Sequence, residues 1–572
     1  MVDKFFNKGK KFLMSPQTSV LSAAGVIMFM GVAARVLGVA NKFVVAHYFP
    51  LNEVSLFWAA FRLPDLIFEI FFFSTFSSAF IPVFTKALKK GEKNAWEIAG
   101  RVLNIALLVF LPLAIFVAVF AHNIYGFIVP GYSVEQVSRI ADIARVLFAA
   151  QGLFIVSYIL TGVLESLRRF LVPALAPIFY NLGIILGAIF LSPSMGLMGP
   201  AIGAVLGAFM HLAIQLPLAL KLGFRFIPRI RPNSGVKKIG RLSLPRFIEL
   251  SFQQVARTVE LSLSSLMPTV AYTYLIYANS LQTFPVTLFG VSLAKAALPT
   301  LSRLEDDSKE FLRTVLNTLY QIIFFVLPVA TTLIVLRVPV IRLIYGIANS
   351  FDWEATIQTS MVLSGYAFGI VFQSAVSLLA RSFYALHDTK TPVTVSVSGV
   401  IITIFSAFLF VRWYGVGVWG LALAVSIGLG FQAFVLFYLL MRRINGGLFF
   451  APLVPITKHV VASLISGTTM YFILKFFDRS VWVKRLAFFT NADVFEGLQF
   501  QNFVLDTRYT LNLIVLTGLV AGIGMALYLL VLYLLRCREL FVVIRLIKQR
   551  KLSFSQKNTE PISQPPAESQ PS

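Results

Sequence analysis

At 572 residues the chain has room for several soluble domains, but 58% of it is hydrophobic and only 13% is charged. Ordinary globular proteins run at roughly 45–50% apolar and about 25% charged, so a soluble fold could not cover this apolar surplus, and a disordered chain would not carry it. The formal charge of +24 then belongs to cytoplasmic loops and lipid headgroups rather than to nucleic acid. The single cysteine, Cys537, leaves no internal disulfide and no Cys-based metal site.

Residues 1–18 place Lys4, Lys8, Lys10 and Lys11 among Phe5, Phe6, Phe12 and Leu13. This reads as a basic amphipathic N-terminus lying on the membrane surface, not a cleaved signal. Stretches of about 20 apolar residues, enough to span a bilayer as helix, then follow at 19–47, 55–85, 98–122, 138–163, 171–192 and 199–222. A second set covers 246–268, 272–300, 310–337, 357–386, 393–411 and 417–441, and two more cover 452–476 and 509–536. The expectation is an all-α polytopic membrane protein with about fourteen spans. The runs are too long and too continuous for a β-barrel.

Loop charges give orientation. Basic clusters follow the even-numbered spans: Lys86, Lys89, Lys90 and Lys93; Arg168 and Arg169; Arg225 to Arg246; Arg303, Lys309 and Arg313; Arg442 and Arg443. The odd-numbered exits are poor in Lys and Arg, which puts both termini in the cytoplasm. The expected layout is a first lobe at 19–222, a basic cytoplasmic linker at 223–245, a second lobe at 246–441, and a C-terminal pair of spans at 452–536. An external loop is expected at 477–508, and a basic, then disordered, cytoplasmic tail at 537–572.

The two lobes resemble each other at an offset of about 215–220 residues. Ala79 to Lys86 parallels Ala296 to Arg303, Val102-Leu103-Asn104 parallels Val315-Leu316-Asn317, and Gly196 to Ala201 parallels Gly417 to Ala422. A repeat of six spans leaves both copies in the same orientation, related by an axis along the membrane normal, the architecture of alternating-access transporters.

Three stretches carry a family resemblance. Ala34-Arg35-Val36-Leu37-Gly38, Phe61 to Leu66 with Phe76 to Pro82, and Ser382 to Pro392 resemble signatures of the MurJ/MviN lipid II flippases. The resemblance covers roughly residues 15–540. It implies the multidrug/oligosaccharidyl-lipid/polysaccharide exporter fold: two six-helix pseudo-repeats plus two C-terminal helices. It further implies a bacterial cytoplasmic (inner) membrane protein that moves the undecaprenyl-pyrophosphate-linked precursor lipid II between leaflets. Its partners would be membrane lipids and cell-wall synthesis proteins. The chain departs from the family pattern at Asn41 and Lys42, at Ser55, at Phe68-Glu69, and at Asn279-Ser280 with Thr283.

Charges within spans are costly, about 2.5–3.5 kcal/mol even on insertion scales, so they pair or face a polar cavity. Arg35, Lys42, Arg62, Arg257 and Lys295 are the candidate pyrophosphate-binding cations, since phosphate recognition favours cationic forks. Asp65, Glu69, Glu260 and Asn279 are the candidate polar partners. Arg62, Asp65 and Glu69 share one helix face, as do Arg257 and Glu260. The competing structural reading has Arg62 neutralised by Asp65 or Glu69, and Arg257 by Glu260. Arg35 has no acidic neighbour at helical spacing. Gly38, Pro64 and Pro285 are candidate hinges that interrupt their helices. His47, His122, His211, His387 and His459 show no metal-ligand spacing, and Asp388 and Lys390 are read as shaping a cytoplasmic turn. No phosphate-binding loop, catalytic cluster or cofactor motif is found, which argues against an intramembrane enzyme. A polysaccharide-lipid or drug exporter, and a non-transporting scaffold of the same fold, are the alternatives.

Overall fold

In lipid, backbone N–H and C=O groups must be satisfied within the segment itself, and long apolar runs therefore become helices. The structure, a computed structural model, describes residues 20–70, 79–224, 226–445, 454–478, 505–542 and 545. The basic segment 1–18, Phe76-Ser77-Ser78, most of the loop 477–508 and the tail beyond residue 545 lie outside the described residues.

The first half contains α1 (Val20–Tyr48), α2 (Leu51–Ala60), α3 (Arg62–Phe68), α4 (Ile81–Leu88), α5 (Glu92–Val119), α6 (Ala121–Ile128), α7 (Val134–Ser166), α8 (Leu171–Leu186), α9 (Ser192–Met195) and α10 (Met198–Lys221). A π-helical turn at Gly187–Leu191 joins α8 to α9. The second half contains α11 (Ser234–Ser265), α12 (Ala271–Pro285), α13 (Ser292–Arg303), α14 (Ser308–Val335), α15 (Arg337–Ile344), α16 (Trp353–Ala385), α17 (Lys390–Phe408) and α18 (Trp419–Asn445). Two more helices, α19 (Val454–Phe477) and α20 (Thr510–Leu534), follow. Among the described residues there is no strand, only an isolated bridge between Asp478 and Leu505.

Twelve helices among the described residues are long and apolar enough to cross a membrane. The other two of the expected fourteen fall short for identifiable reasons. The second is bent between α2 and α3, and part of it is not described. The seventh, α11, carries Glu249, Arg257 and Glu260 along its length. The expected linker 223–245 is also shorter than its charges suggest, because α11 begins at Ser234. Asn233 caps it by accepting from the Val236 amide (2.9 Å), and Lys237, Lys238 and Arg241 are good helix formers that extend it.

The repeat is visible in the backbone. In each half a 28-residue helix (α5, α14) is followed at once by an eight-residue helix (α6, α15) and then by a 33-residue helix (α7, α16). Both 33-residue helices end at a left-handed non-glycine residue, Arg168 (φ 59°) and His387 (φ 58°). A π-turn interrupts the next span in each half, at Gly187–Leu191 and Leu409–Trp413. After His387, Asp388 accepts from the Thr391 amide (3.0 Å) and hydroxyl (2.8 Å) and pairs with Arg443 (2.8 Å). Burial raises its pKa, but the Thr391 bonds and Arg443 outweigh that and hold it below the usual carboxylate value. A depressed pKa contributes stability that is present above the ordinary carboxylate range and lost only as pH falls through the lowered value.

Close approach of α8 to α10 rests on glycine. A Cβ on Gly203 would stand 2.5 Å from the Gly183 carbonyl oxygen and 2.8 Å from the Gly187 Cα. Both obstacles are backbone, and small residues are what let membrane helices pack this closely. Gly203→Val is therefore expected to lower stability by at least about 1–3 kcal/mol, the usual overpacking cost, with a lowered thermal midpoint in detergent. An unchanged midpoint would show that these helices can separate freely.

Hydrogen bonds join the halves at one end. The Thr273 hydroxyl donates to the Leu51 carbonyl (2.9 Å), the Gly131 amide to Ser265 Oγ (3.3 Å), and Gln136 Nε2 to Thr269 Oγ1 (3.4 Å). The apolar core of the first half runs through this junction into Leu261, Tyr272 and Tyr277. A second core lies within α14, α16 and α18. Small cores join α19 and α20 to the second half through Phe324 and Leu336. Phe116, Phe190, Phe405 and Leu519 are among the large apolar side chains left exposed, as lipid-facing positions require.

Candidate functional site

Pro64 shapes the first side of the site. Proline lacks the N–H that would bond the Ala60 carbonyl, and Phe61 becomes a turn between α2 and α3. The fully buried Tyr125 repairs the gap: its hydroxyl donates to Ala60 O (2.7 Å) and accepts from the Leu63 amide (3.3 Å). Pro285 acts likewise on the other side, where α12 ends and a π-helical turn, Val286–Val291, begins. Gly38 does not interrupt its helix. α1 runs through it unbroken, and among the described residues the only atom within 4 Å of where its Cβ would stand is Asn181 Oδ1, at 3.7 Å. Nothing there removes a backbone hydrogen bond, so the glycine leaves space without making a break.

Behind the bend, the charges of α3 and α11 form one group across the two halves. Arg62 is buried and donates through Nη2 to Gln254 Oε1, while Gln254 Nε2 donates to Glu69. Arg257 pairs with Glu69 at 3.5 Å. Asp65 accepts from Gln151 Nε2 (2.8 Å), and Glu260 accepts from the Tyr366 hydroxyl. The charges of Arg62, Arg257 and the three carboxylates act on one another. A direct ion pair is thus observed for Arg257, with a partner other than the one that helical spacing suggests. Arg257 reaches Glu69 in the other half, and Arg62 reaches an amide.

Gln254 was not legible as a site residue, although it stands one helical turn before Arg257. It is the bridge that satisfies Arg62, whose Nε has no partner among the described residues. Gln254→Ala leaves a buried guanidinium further unpaired, which costs about 1–3 kcal/mol. A fall of that size in unfolding free energy is expected, and no change would mean that Arg62 is satisfied by other means.

Arg35 and Lys42 form a separate set. Arg35 is exposed although it lies in α1, and its Nη2 reaches Thr287 Oγ1 (3.5 Å) on the π-turn of the other half. Lys42 donates to Gly38 O (3.3 Å) and stands over the Trp58 ring at 5.2 Å. The two cations lie close enough to act on each other, and neither has a carboxylate within 4.0 Å among the described residues. The Lys42 carbonyl accepts from the Tyr277 hydroxyl (2.5 Å), and Asn41 donates to Asn181 (3.3 Å), so neighbouring polar groups fix this stretch of α1 in place.

Lys295 stands apart from both groups. It is exposed on α13, within electrostatic reach of Glu165 at the end of α7. Asn279 spends its side chain inside its own helix, accepting from Gln282 Nε2 (3.0 Å) and the Thr283 hydroxyl (3.3 Å). Glu165, Gln151, Thr287 and Tyr366 are further members that the sequence did not single out. Their only signal is polarity within an apolar span.

Known proteins share this architecture. The family model described as lipid II flippase MurJ matches residues 45–491. A probable lipid II flippase MurJ of Vibrio cholerae is 28% identical over 450 residues, covering 76% of this chain and 84% of its own length. A lipid II flippase MurJ of Burkholderia cenocepacia is 25% identical over 423 residues, with coverages of 72% and 81%. Among solved structures, a lipid II flippase MurJ in an inward closed conformation superposes with a TM-score of 0.69 at 24% identity, covering 88% of this chain and 98% of that one. An inward-facing multidrug resistance MATE family transporter gives 0.62 at 16% identity, with coverages of 74% and 98%. At such identities the structural likeness is one of fold.

Proposed function

The chain belongs to the lipid II flippase MurJ family, and from that premise we propose that it carries lipid II from the inner to the outer leaflet of the bacterial cytoplasmic membrane by alternating access. The observation that most supports this reading is the Arg35–Lys42 pair, two neighbouring cations with no carboxylate within 4.0 Å among the described residues, on a helix that meets the opposite half. A pyrophosphate is the anion such a pair suits: it offers several oxygens to an Arg fork and a Lys point charge at once. Arg62 and Arg257 have partners in the protein, and their part is to hold the halves in register. Pro64 and the Pro285 π-turn lie beside the two charge groups and serve as hinges.

In this reading both termini and the basic exits are cytoplasmic. The junction of Leu51, Gly131 and Ser265 with Thr269 and Thr273 then closes the external side. The lobes are 19–222 and 246–441, with the first turns of α11 as part of their connection. No hydrolysis is involved; the chain binds, reorients and releases.

The test is reconstitution of the purified protein in vesicles with fluorescent lipid II, scored for leaflet exchange. Exchange above that of protein-free vesicles is expected. Movement of a drug or of a polysaccharide-linked lipid, with lipid II left in place, would give the chain an exporter's role. Movement of none of them would make it a scaffold.

A further inference from the structure

We propose that His459, Cys537 and Glu539 form a binding site for one divalent metal ion of the zinc type, tying the chain that leaves α20 to the start of α19. Their ligand atoms all lie within 4.8 Å of one another, and all three side chains are buried. His459 Nε2 is 3.5 Å from Cys537 Sγ and 3.6 Å from Glu539 Oε2, and Sγ is 2.9 Å from Oε2. A tetrahedral zinc with sulfur at about 2.3 Å and nitrogen or oxygen at about 2.0–2.2 Å sets ligand–ligand edges of roughly 3.3–3.6 Å. Two edges already have that length, and the third needs a small rotation of one carboxylate.

The surroundings aim these groups rather than merely collecting them. α20 ends in a left-handed residue, Arg536 (φ 51°), and the Cys537 amide bonds back to Leu532 O (2.9 Å). That closing turn points the chain back beneath α19. The imidazole is oriented from behind. The Tyr528 hydroxyl donates to the Phe324 carbonyl (3.1 Å), so its lone pair is left to accept from His459 Nδ1 (3.2 Å). With the proton on Nδ1, Nε2 presents a bare lone pair to Cys537 and Glu539. This is the arrangement that metal-bound histidines use, the far nitrogen held by a neighbouring oxygen.

Charge also balances. One thiolate and one carboxylate neutralise a divalent cation, and the thiol proton, which now points toward Glu539, leaves to solvent on binding. No fourth His, Cys, Asp or Glu joins the group among the described residues, so water completes the tetrahedron. Lys458 is the adjacent cation, and its ammonium is engaged by Leu535 O (3.0 Å). One cysteine excludes a multi-thiolate site but not this mixed one. Sequence spacing hides it, because His459 and Cys537 are 78 residues apart and meet only through the packing of α19 on α20.

Cobalt(II) is the probe. Full-length protein in detergent, stripped with a chelator and dialysed, is expected to bind one cobalt per chain. Binding should produce a near-ultraviolet sulfur-to-cobalt charge-transfer absorption, and zinc should abolish it. The chain has a single cysteine, so in wild-type protein that absorption assigns Cys537 without any variant. Cys537→Ser should remove it. Tyr528→Phe keeps all three ligands but frees the imidazole, and should weaken binding about 10–100-fold while the protein stays monodisperse. Wild-type protein that takes up no stoichiometric cobalt, or binds it without the sulfur absorption, would overturn the proposal and leave a hydrogen-bonded trio. This outcome is independent of lipid II exchange.

Discussion

Replacing Arg35 by alanine is expected to reduce lipid II exchange by about 10–100-fold, the value of one charge-assisted hydrogen-bonding group worth about 1.5–3 kcal/mol, while thermal stability is nearly unchanged. The two readouts separate because of how Arg35 is held. Its one hydrogen bond among the described residues is a long one, 3.5 Å to Thr287, and it is exposed, so removal leaves no buried partner there unsatisfied. Arg35→Lys should retain part of the activity, since it keeps the charge and loses the fork. Arg62→Ala should behave oppositely. Arg62 is buried in the Gln254–Glu69 group, so its loss should lower stability as well as transport. Normal exchange by Arg35→Ala in reconstituted vesicles would remove Arg35 from the substrate site.

The reach of the sequence can be judged at particular residues. Hydropathy marks α7, α10 and α20 to within a few residues, because in lipid an apolar run has one stable conformation. α11 was legible only in part. Its stretch 246–268 is expected as an apolar span like the others, yet Glu249, Arg257 and Glu260 leave the helix too polar to count among the twelve. The repeat was legible as motif pairs, and the backbone repeats it in α5–α6–α7 against α14–α15–α16. Partner choice was not legible. Arg257 and Glu260 stand three apart on one helix, yet Arg257 pairs with Glu69 from the other half and Glu260 bonds Tyr366. Such pairings depend on which helices face each other, and periodicity within one helix carries no information about that. The same limit hid Gln254, whose importance comes from lying between Arg62 and Glu69. Gly38 shows the converse error. A glycine permits a break, but without a lost hydrogen bond α1 continues through it.

That division of charges determines how the transport cycle should respond to voltage. Arg62 and Arg257 act on Asp65, Glu69 and Glu260, two cations against three carboxylates, so the net charge of the group is smaller in size than that of Arg35 and Lys42 together. Arg35 and Lys42 have no such compensation. In the proposed cycle a bound pyrophosphate would neutralise them, and the loaded carrier would move little net charge. The empty carrier keeps both cations, and a potential negative inside pulls them toward the cytoplasm, which favours its return to the inward-open state. A full crossing is worth about 2.3 kcal/mol per charge per 100 mV. Two charges crossing half the field gain about as much, and that is roughly 50-fold in an equilibrium between the two states, at tenfold per 1.36 kcal/mol. Sustained exchange in proteoliposomes should therefore slow when a potassium diffusion potential is collapsed by ionophore, with no nucleotide present. A single turnover of preloaded carrier should be much less affected. Arg35→Lys should keep the voltage dependence at a reduced rate, whereas Lys42→Gln, which leaves one of the two charges, should weaken it to roughly 7-fold. A rate indifferent to the potential, together with a strict need for ATP or an ion gradient, would show that these two cations do not move through the field.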